Sequence, residues 1–200
     1  MSGAHQTGLV ARTNWCAGGR RLRHTDQNGG DAGGLRLAPK PGALGEVKKL
    51  IDHNPKRGTQ VANYETILVD RQDNIATITF NRPNKRNAMN PKLHYEMVEV
   101  LNELRFDKDL RVLILTGAGE SFSAGEDLKE FFYEQRERME FERLLEKALE
   151  WRVRILRAFP VPTIAAINGF CFGGAFSIVS GCDIAIAADE ATFGLSEVNF

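Results

Sequence analysis

The chain changes character near Val61, and only the part after this point has the composition of a folded core. Residues 1–60 contain 11 of the 19 glycines and none of the 12 phenylalanines. They carry 10 Lys and Arg against 4 Asp and Glu, a net charge of +6, whereas residues 61–200 carry 16 against 22, a net charge of −6. A glycine-rich segment with few large apolar side chains buries too little surface to offset its chain entropy. We therefore predict that residues 1–60 are disordered and that the folded domain occupies residues 62–200.

Two other interpretations of residues 1–60 stay open. Four arginines precede the first acidic residue, as in an organellar transit peptide, but the segment has a single serine and no amphipathic face. Alternatively, the tract is not native coding sequence but a leader read through in frame. Val61 would then be the natural start, decoded from a GTG codon, and Lys56-Arg57-Gly58 would be encoded by a purine-rich ribosome-binding stretch. Mass mapping of peptides from the native host protein distinguishes these interpretations.

Charge, hydropathy and cysteine usage exclude several classes of function. The chain has 26 basic and 26 acidic residues, and this balance argues against nucleic acid as a main partner. No stretch approaches the 18 consecutive apolar residues of a transmembrane helix. The cysteines are odd in number and lack metal-ligand spacing, which favours a reduced, cytoplasmic protein without a bound metal. They are Cys16, Cys171 and Cys182.

After residue 61, strand-like and helix-like patterns alternate, which indicates an α/β fold. Thr66–Asp70 and Ile75–Phe80 are rich in β-branched residues and predict a hairpin. Asn90-Pro91 predicts a capped helix start, and apolar spacings of three and four continue that helix to about Phe106. Further predicted elements are buried strands at Val112–Thr116, Thr163–Ile167 and Asp183–Ala187, two helices within 127–158, and a short helix opening at Gly173-Gly174.

Two glycine-containing loops follow predicted buried strands, at 117–128 and 168–175. Each loop ends where a helix begins, so each can direct free backbone N–H groups into one cleft and stabilise a developing oxyanion. Alternatively, the glycines only relieve crowding at strand-to-helix turns. Glu197 lies in an apolar context that can raise the pKa of a carboxyl toward neutrality. His94, the one histidine after residue 53, is predicted to lie on the surface or half-buried.

These segments resemble the crotonase (enoyl-CoA hydratase/isomerase) superfamily, in the order in which that family carries them. The resemblance spans about residues 62–200 and is closest to the hydroxycinnamoyl-CoA (feruloyl-CoA) hydratase-lyases. It rests on Asn81–Met89, on Ser123-Ala124-Gly125-x-Asp127-Leu128-Lys129, on Asn168-Gly169-x-x-x-Gly173-Gly174, and on Cys171–Gly174 and Ala188–Glu197.

The resemblance implies a spiral core of repeated ββα units that binds an acyl-CoA thioester. The family's domain is substantially longer, and its C-terminal helices, absent here, complete the active site and the contacts of a homotrimer or hexamer. We therefore expect little turnover from this chain alone. No metal or redox cofactor is implied, because coenzyme A enters as the substrate thioester. The residues implied in CoA and substrate binding are Lys85, Arg86, Ala88, Gly125, Asp127 and Leu128; the oxyanion donors are the N–H groups of Glu126 and Gly174, and the catalytic glutamate is Glu197.

Three positions depart from the family pattern. Ser177 stands where ordinary hydratases have a first catalytic glutamate, so Glu197 must transfer protons alone. Glu126 places a carboxylate at the oxyanion loop, where a small or apolar residue is usual. Phe131 replaces the tyrosine that holds a substrate phenol in the lyases, although Tyr133 lies nearby; the resemblance places both residues in the substrate-binding wall of the acyl pocket. The sequence therefore predicts a hydratase or hydratase-lyase acting on an aryl or bulky 2-enoyl-CoA; the alternatives are a Δ3,Δ2-enoyl-CoA isomerase, a simple enoyl-CoA hydratase, or a non-catalytic fragment.

Overall fold

The computed structural model describes residues 64–134 and 141–195, so the predictions for residues 1–60 and for Glu197 lie outside the described residues. The described strands are β1 (Ile67–Gln72), β2 (Ile75–Phe80), β3 (Val112–Gly117), β4 (Ser121–Ser123), β5 (Thr163–Ile167), β6 (Phe170–Phe172), β7 (Ile184–Ala187) and β8 (Phe193–Gly194). The α-helices are α1 (Pro91–Leu104), α2 (Phe141–Leu149) and α3 (Ala175–Gly181).

The strands form two sheets. The larger sheet has the order β1-β2-β3-β5-β7, in which β1 and β2 are antiparallel and all later neighbours are parallel. The smaller sheet has the order β4-β6-β8 and is parallel. From β3 onward, each pair of consecutive strands places one strand in each sheet, and α3 follows the pair β5 and β6. This repetition confirms the predicted α/β fold of repeated ββα units.

The predicted hairpin and the first helix are confirmed with small shifts of their ends. A tight turn joins β1 to β2, and Asp73 adopts a φ of 55° in it. The side chain of Asn90 accepts a hydrogen bond of 3.0 Å from the backbone N–H of Leu93, and Pro91 occupies the first helical position. The first N–H groups of a helix have no partner within it. The Asn90 side chain accepts a hydrogen bond from one of them, and Pro91 has no N–H to leave unpaired, so these two residues favour the start of α1 here. The apolar stripe of α1 is fully buried and comprises Leu93, Met97, Val100, Leu101 and Leu104.

The stretch 127–158 differs from the two simple helices that its composition predicts. A π-type turn spans Leu128–Tyr133, and its first amide groups are capped by the Asp127 carboxylate, which accepts from the N–H of Glu130 at 3.2 Å. Helix α2 continues without interruption into a second π-type segment, Glu150–Ile155, and a 3-10 turn, Leu156–Ala158. Trp151 and Arg152 lie in this second π-type segment and are buried.

The core lies between the larger sheet and the helices, and the described residues cover one face of the sheet more fully than the other. Leu113 and Leu115 of β3 are fully buried, whereas Ile114 between them is only partly buried. The prediction of a buried strand at Val112–Thr116 is therefore only partly met within 64–134 and 141–195. None of the helices in these two ranges combines the length and the apolar character needed to cross a bilayer.

Candidate active site

The segment 81–90 and the loop that follows β4 are joined by backbone hydrogen bonds. The N–H of Met89 donates to the carbonyl of Gly125 at 2.8 Å, and the N–H of Asp127 donates to the carbonyl of Met89 at 2.9 Å. One turn earlier, the N–H of Ala124 donates to the carbonyl of Arg86 at 2.9 Å. These bonds fix the predicted CoA-binding segment against the predicted oxyanion loop.

Arg82 secures the same junction through its side chain. Its guanidinium donates to the carbonyl of Ala88 at 2.6 Å and to the carboxylates of Asp127 at 3.1 Å and Glu130 at 2.7 Å. The Asp127 side chain is therefore used in this ion pair and in capping the π-type turn. A binding role for Asp127 would rest on its backbone rather than on its carboxylate.

Lys85 and Arg86 lie on the exposed side of this junction. Lys85 ends a 3-10 turn, and Arg86 follows it with a left-handed φ of 49°. The Arg86 guanidinium lies 5.4 Å from the centroid of the Phe170 ring, which is within the range of a cation–π contact. Both side chains are exposed, and their predicted role in binding CoA stays a prediction.

The two glycine-containing loops contact one another at Gly125 and Gly174. Gly125 has a φ of 92°, and a Cβ atom there would lie 2.9 Å from the carbonyl oxygen of Phe172 and 3.2 Å from the backbone nitrogen of Gly174. No side chain larger than hydrogen fits this approach. Within residues 64–134 and 141–195, neither the N–H of Glu126 nor that of Gly174 donates a hydrogen bond. Two unpaired N–H donors thus lie on adjacent backbone segments, an arrangement suited to binding an oxyanion.

The Glu126 side chain points into a buried polar network instead of toward solvent. Its Oε1 accepts a bond of 2.6 Å from Nη1 of Arg152, and its Oε2 accepts a bond of 2.9 Å from Nε2 of His94. The Trp151 indole N–H donates to Nδ1 of His94 at 3.0 Å. Because an indole N–H can only donate, Nδ1 is an acceptor and the neutral imidazole carries its proton on Nε2. Neutral His94, anionic Glu126 and cationic Arg152 leave the network with no net charge.

His94 corrects a prediction from the sequence. It was predicted to be at the surface or half-buried, but its side chain is fully buried. Burial lowers the pKa of the His94 imidazole below its ordinary value, against the opposing effect of Glu126. Burial by itself would raise the pKa of the Glu126 carboxyl, but the hydrogen bonds from His94 and Arg152 and the charge of Arg152 outweigh it and hold that pKa below its ordinary value.

We expect the free energy of unfolding to fall as the pH drops below about 6.5, the ordinary pKa of histidine. The unfolded chain takes up a proton on His94 in this range while the folded chain resists it, so acid favours unfolding until the folded pKa is passed. His94→Gln keeps a neutral donor toward Glu126 but does not titrate, and it should flatten this slope between pH 7 and pH 5. Denaturant titrations across that range measure it; equal slopes in the two proteins would contradict the assignment.

The other predicted site residues are distributed as follows. Ser177 donates its hydroxyl to the carbonyl of Gly174 at 2.6 Å within the first turn of α3. Phe131 is only 1% exposed and packs edge-on against His94, with a centroid distance of 5.2 Å. Leu128 and Tyr133, in contrast, are 64% and 68% exposed. The roles predicted for these residues, and for Glu197 beyond the described ranges, stay predictions.

Sequence reasoning missed the buried network, although its signal was present. Ala148, Arg152 and Ile155 share one face of a helix by their spacing, and all three are buried. A cation on such a stripe requires a buried partner. His94 likewise shares a face with Met97 and Leu101 on α1.

Comparisons with known proteins agree with the fold and with the motifs. The family model for enoyl-CoA hydratase/isomerase matches residues 70–200. A hydroxycinnamoyl-CoA hydratase-lyase from Pseudomonas fluorescens is 49% identical over 144 residues, which cover 71% of this chain and 52% of that protein. A mitochondrial Δ3,5-Δ2,4-dienoyl-CoA isomerase from Pongo abelii is 34% identical over 189 residues, covering 82% of this chain and 52% of that protein.

Solved protein structures are also similar to this chain. AtuE from Pseudomonas aeruginosa superposes with a TM-score of 0.63 at 34% identity, covering 68% of this chain and 52% of that one. An enoyl-CoA hydratase/isomerase from Xanthobacter autotrophicus Py2 also gives a TM-score of 0.63 at 34% identity, covering 68% of this chain and 51% of that one. The chain spans about half the length of these relatives. The sequence motifs, the repeated ββα units and these matches together show that the chain belongs to the enoyl-CoA hydratase/isomerase (crotonase) family.

Proposed function

We propose that the protein adds water to an aryl or otherwise bulky 2-enoyl-CoA thioester and then cleaves the adduct to an aldehyde and acetyl-CoA. The observation that carries this proposal is the pair of N–H donors on Glu126 and Gly174, which have no partner among the described residues and whose loops meet at Gly125. Such a pair stabilises the negative charge that develops on a thioester oxygen when a nucleophile adds at the conjugated Cβ. The similarity to a hydroxycinnamoyl-CoA hydratase-lyase supports the choice of substrate class.

In the proposed mechanism, Glu197 removes a proton from water while the water oxygen bonds to Cβ, and the electron pair of the double bond moves into the thioester enolate. The two N–H groups hold the enolate oxygen, and Glu197 returns the proton to Cα, which restores its carboxylate. For cleavage, Glu197 removes the proton of the β-hydroxyl, the Cα–Cβ bond breaks, and an aldehyde leaves. The resulting acetyl-CoA enolate is stabilised by the same two N–H groups until Glu197 delivers that proton to its Cα.

A Δ3,Δ2-enoyl-CoA isomerase is the second candidate; Ser177 favours it over a simple enoyl-CoA hydratase, but not over the hydratase-lyase, which also uses one glutamate. The Ser177 hydroxyl is engaged with the carbonyl of Gly174 and offers no carboxylate for a second acid or base. An isomerase needs only one glutamate to move a proton between two carbons. A simple enoyl-CoA hydratase, in contrast, is expected to have a second glutamate. A cytoplasmic location and assembly into a homotrimer or hexamer also remain proposals, on the resemblance alone.

Turnover by the protein translated from the whole reading frame that contains this chain tests the proposal. Feruloyl-CoA and crotonyl-CoA are supplied as 2-enoyl substrates, and a 3-enoyl-CoA is supplied as the isomerase substrate. Vanillin and acetyl-CoA from feruloyl-CoA would support the hydratase-lyase. Conversion of the 3-enoyl-CoA alone would support the isomerase, and absence of all three reactions would support a non-catalytic protein.

We expect little preference for feruloyl-CoA over cinnamoyl-CoA, because the Phe131 ring cannot hydrogen-bond a phenol. A site built around a substrate hydroxyl rejects the analogue that lacks it by roughly 10⁴ or more, whereas an apolar pocket discriminates weakly. Phe131→Tyr should raise the ratio of kcat/KM for the phenolic thioester over cinnamoyl-CoA.

Tyr95, an exposed tyrosine of α1 outside the predicted site, provides the matched control, and Tyr95→Phe should leave the ratio unchanged. Because Phe131 is buried, the substitution Phe131→Tyr can also give a result that contradicts a role in the acyl pocket. If its ring never contacts the acyl group, Phe131→Tyr buries a hydroxyl without a partner, which lowers Tm and leaves the ratio as it is in the wild type. That combination would contradict the assignment of Phe131 to the acyl pocket.

A further inference from the structure

Arg152 contacts both residues whose N–H groups form the proposed oxyanion site. Its Nη1 donates to Oε1 of Glu126 at 2.6 Å and lies 3.4 Å from the carbonyl oxygen of Gly174, to which it also donates. Its Nε donates to the carbonyl of Ala148 at 2.9 Å, which fixes the guanidinium on its own helix. The side chain is 6% exposed. One buried cation therefore spans the two loops that carry the proposed donors.

The negative charge of the Glu126 carboxylate lies close to the proposed oxyanion site. Among the described residues that contact this carboxylate, Arg152 is the one that carries a compensating positive charge. A Cβ atom on Gly174 would lie 3.2 Å from Oε1 of Glu126 and 3.1 Å from Nη1 of Arg152, so both charged groups approach the second donor residue. A bare carboxylate here would repel an enolate held by the neighbouring N–H groups. His94 donates a hydrogen bond to Glu126 but is neutral, so the compensating charge comes from Arg152.

We propose that Arg152 is a positioning residue of the oxyanion site: it cancels the charge of Glu126 and, through the Gly174 carbonyl, holds the two donor loops together. This inference rests on the proposed function, since it gives Arg152 a role only if the N–H groups of Glu126 and Gly174 bind a thioester oxygen. A purely structural ion pair would stabilise the fold without changing how strongly a bound carbonyl is polarised. The two roles therefore differ in a spectroscopic property of a bound ligand.

The probe is 4-(dimethylamino)cinnamoyl-CoA, a thioester in which an amino donor is conjugated to the carbonyl. Hydrogen bonds to the carbonyl oxygen draw electron density toward it and shift the absorption band to longer wavelength. The protein used is the product of the whole reading frame that contains this chain. We expect a clear red shift on binding to the wild type and loss of most of that shift in Arg152→Met at saturating probe. In the same comparison kcat for cinnamoyl-CoA should fall about tenfold to a hundredfold, less than for loss of a whole oxyanion donor.

Two further variants separate charge from shape. The double variant E126Q/R152M removes both charges and should recover part of the red shift that R152M loses. Arg152→Lys keeps the charge but loses the contact of Nη1 with the Gly174 carbonyl, so it should give an intermediate shift. Arg154→Met removes an exposed arginine from the same helix and should behave like the wild type.

The pH dependence provides an independent signature. The groups that face the Glu126 carboxylate are His94 from α1 and Arg152 from the segment 150–155, while neighbouring Asp127 pairs with Arg82. In R152M the carboxylate loses its cation, and protonation at lower pH removes the repulsion. The red shift of R152M should therefore grow as the pH falls, and that of E126Q/R152M should not.

Equal shifts in the wild type and R152M, including no shift in either, would overturn the inference. So would a double variant as impaired as R152M at every pH. If R152M does not fold, the red shift of the bound probe is compared among the wild type, R152K and E126Q/R152M instead. Failure of the proposed function has a different signature: a red-shifted probe in the wild type together with no hydration of any 2-enoyl-CoA.

Discussion

Glu197→Gln is expected to lower kcat for cinnamoyl-CoA by about 10² to 10⁴, the usual contribution of a positioned general acid–base group. The effect is large because Ser177 offers no second carboxylate, so Glu197 is the one proposed proton carrier. The amide keeps the shape of the side chain, and the KM for the thioester should change little. Steady-state kinetics on the product of the whole reading frame measures both constants.

Glu146→Gln is the matched control for this substitution, because Glu146 is an exposed glutamate of α2. It should leave both kcat and KM at their wild-type values. A Glu197→Gln protein that keeps most of its kcat would remove Glu197 from the mechanism.

Gly125→Ala is expected to reduce kcat by about 10² to 10³, comparable with the loss of one oxyanion donor. Its Cβ would meet the Phe172 carbonyl oxygen at 2.9 Å and the Gly174 nitrogen at 3.2 Å, and both are backbone atoms. Relief of this contact must separate the two loops that carry the donors. The left-handed φ of 92° adds a strain of roughly 1–3 kcal/mol, so Tm should fall as well.

Gly119→Ala separates the loss of donor geometry from the loss of stability. Gly119 also has a left-handed φ, of 72°, but its Cβ would meet only Pro83, at 3.5 Å. It should therefore lower Tm by a similar mechanism while leaving kcat nearly unchanged. Equal losses of kcat in the two variants would show that backbone strain, and not the contact between the loops, is responsible.

Much of the larger sheet could be predicted from the sequence because its strands carry their own signal. The β-branched runs of β1 and β2 and the Asn90-Pro91 start of α1 are local features, and the structure keeps them. The smaller sheet could not be found in this way, because β4, β6 and β8 are only two or three residues long, and β4 and β6 lie inside the two glycine-containing loops. A strand of two or three residues is too short to show an alternation of apolar and polar side chains. It is recognised only by its pairing with parallel neighbours.

In the candidate site, too, local features could be predicted from the sequence and long-range contacts could not. The glycine loops and the motif positions were visible in the sequence, since each donor is a backbone group whose place follows from a strand-to-helix turn. The network of His94, Glu126, Trp151 and Arg152 was not visible as a network. Its bonds join residues 26 to 57 positions apart, and they exist only after α1 and the segment 141–158 have packed together.

The products formed from cinnamoyl-CoA by the whole reading frame's protein test the central claim most directly. Mass spectrometry of a single-turnover mixture would identify them. We predict 3-hydroxy-3-phenylpropionyl-CoA first, followed by equal amounts of benzaldehyde and acetyl-CoA, with all three suppressed in Gly125→Ala. Unchanged cinnamoyl-CoA, or the same product yield and rate in Gly125→Ala as in the wild type, would contradict it.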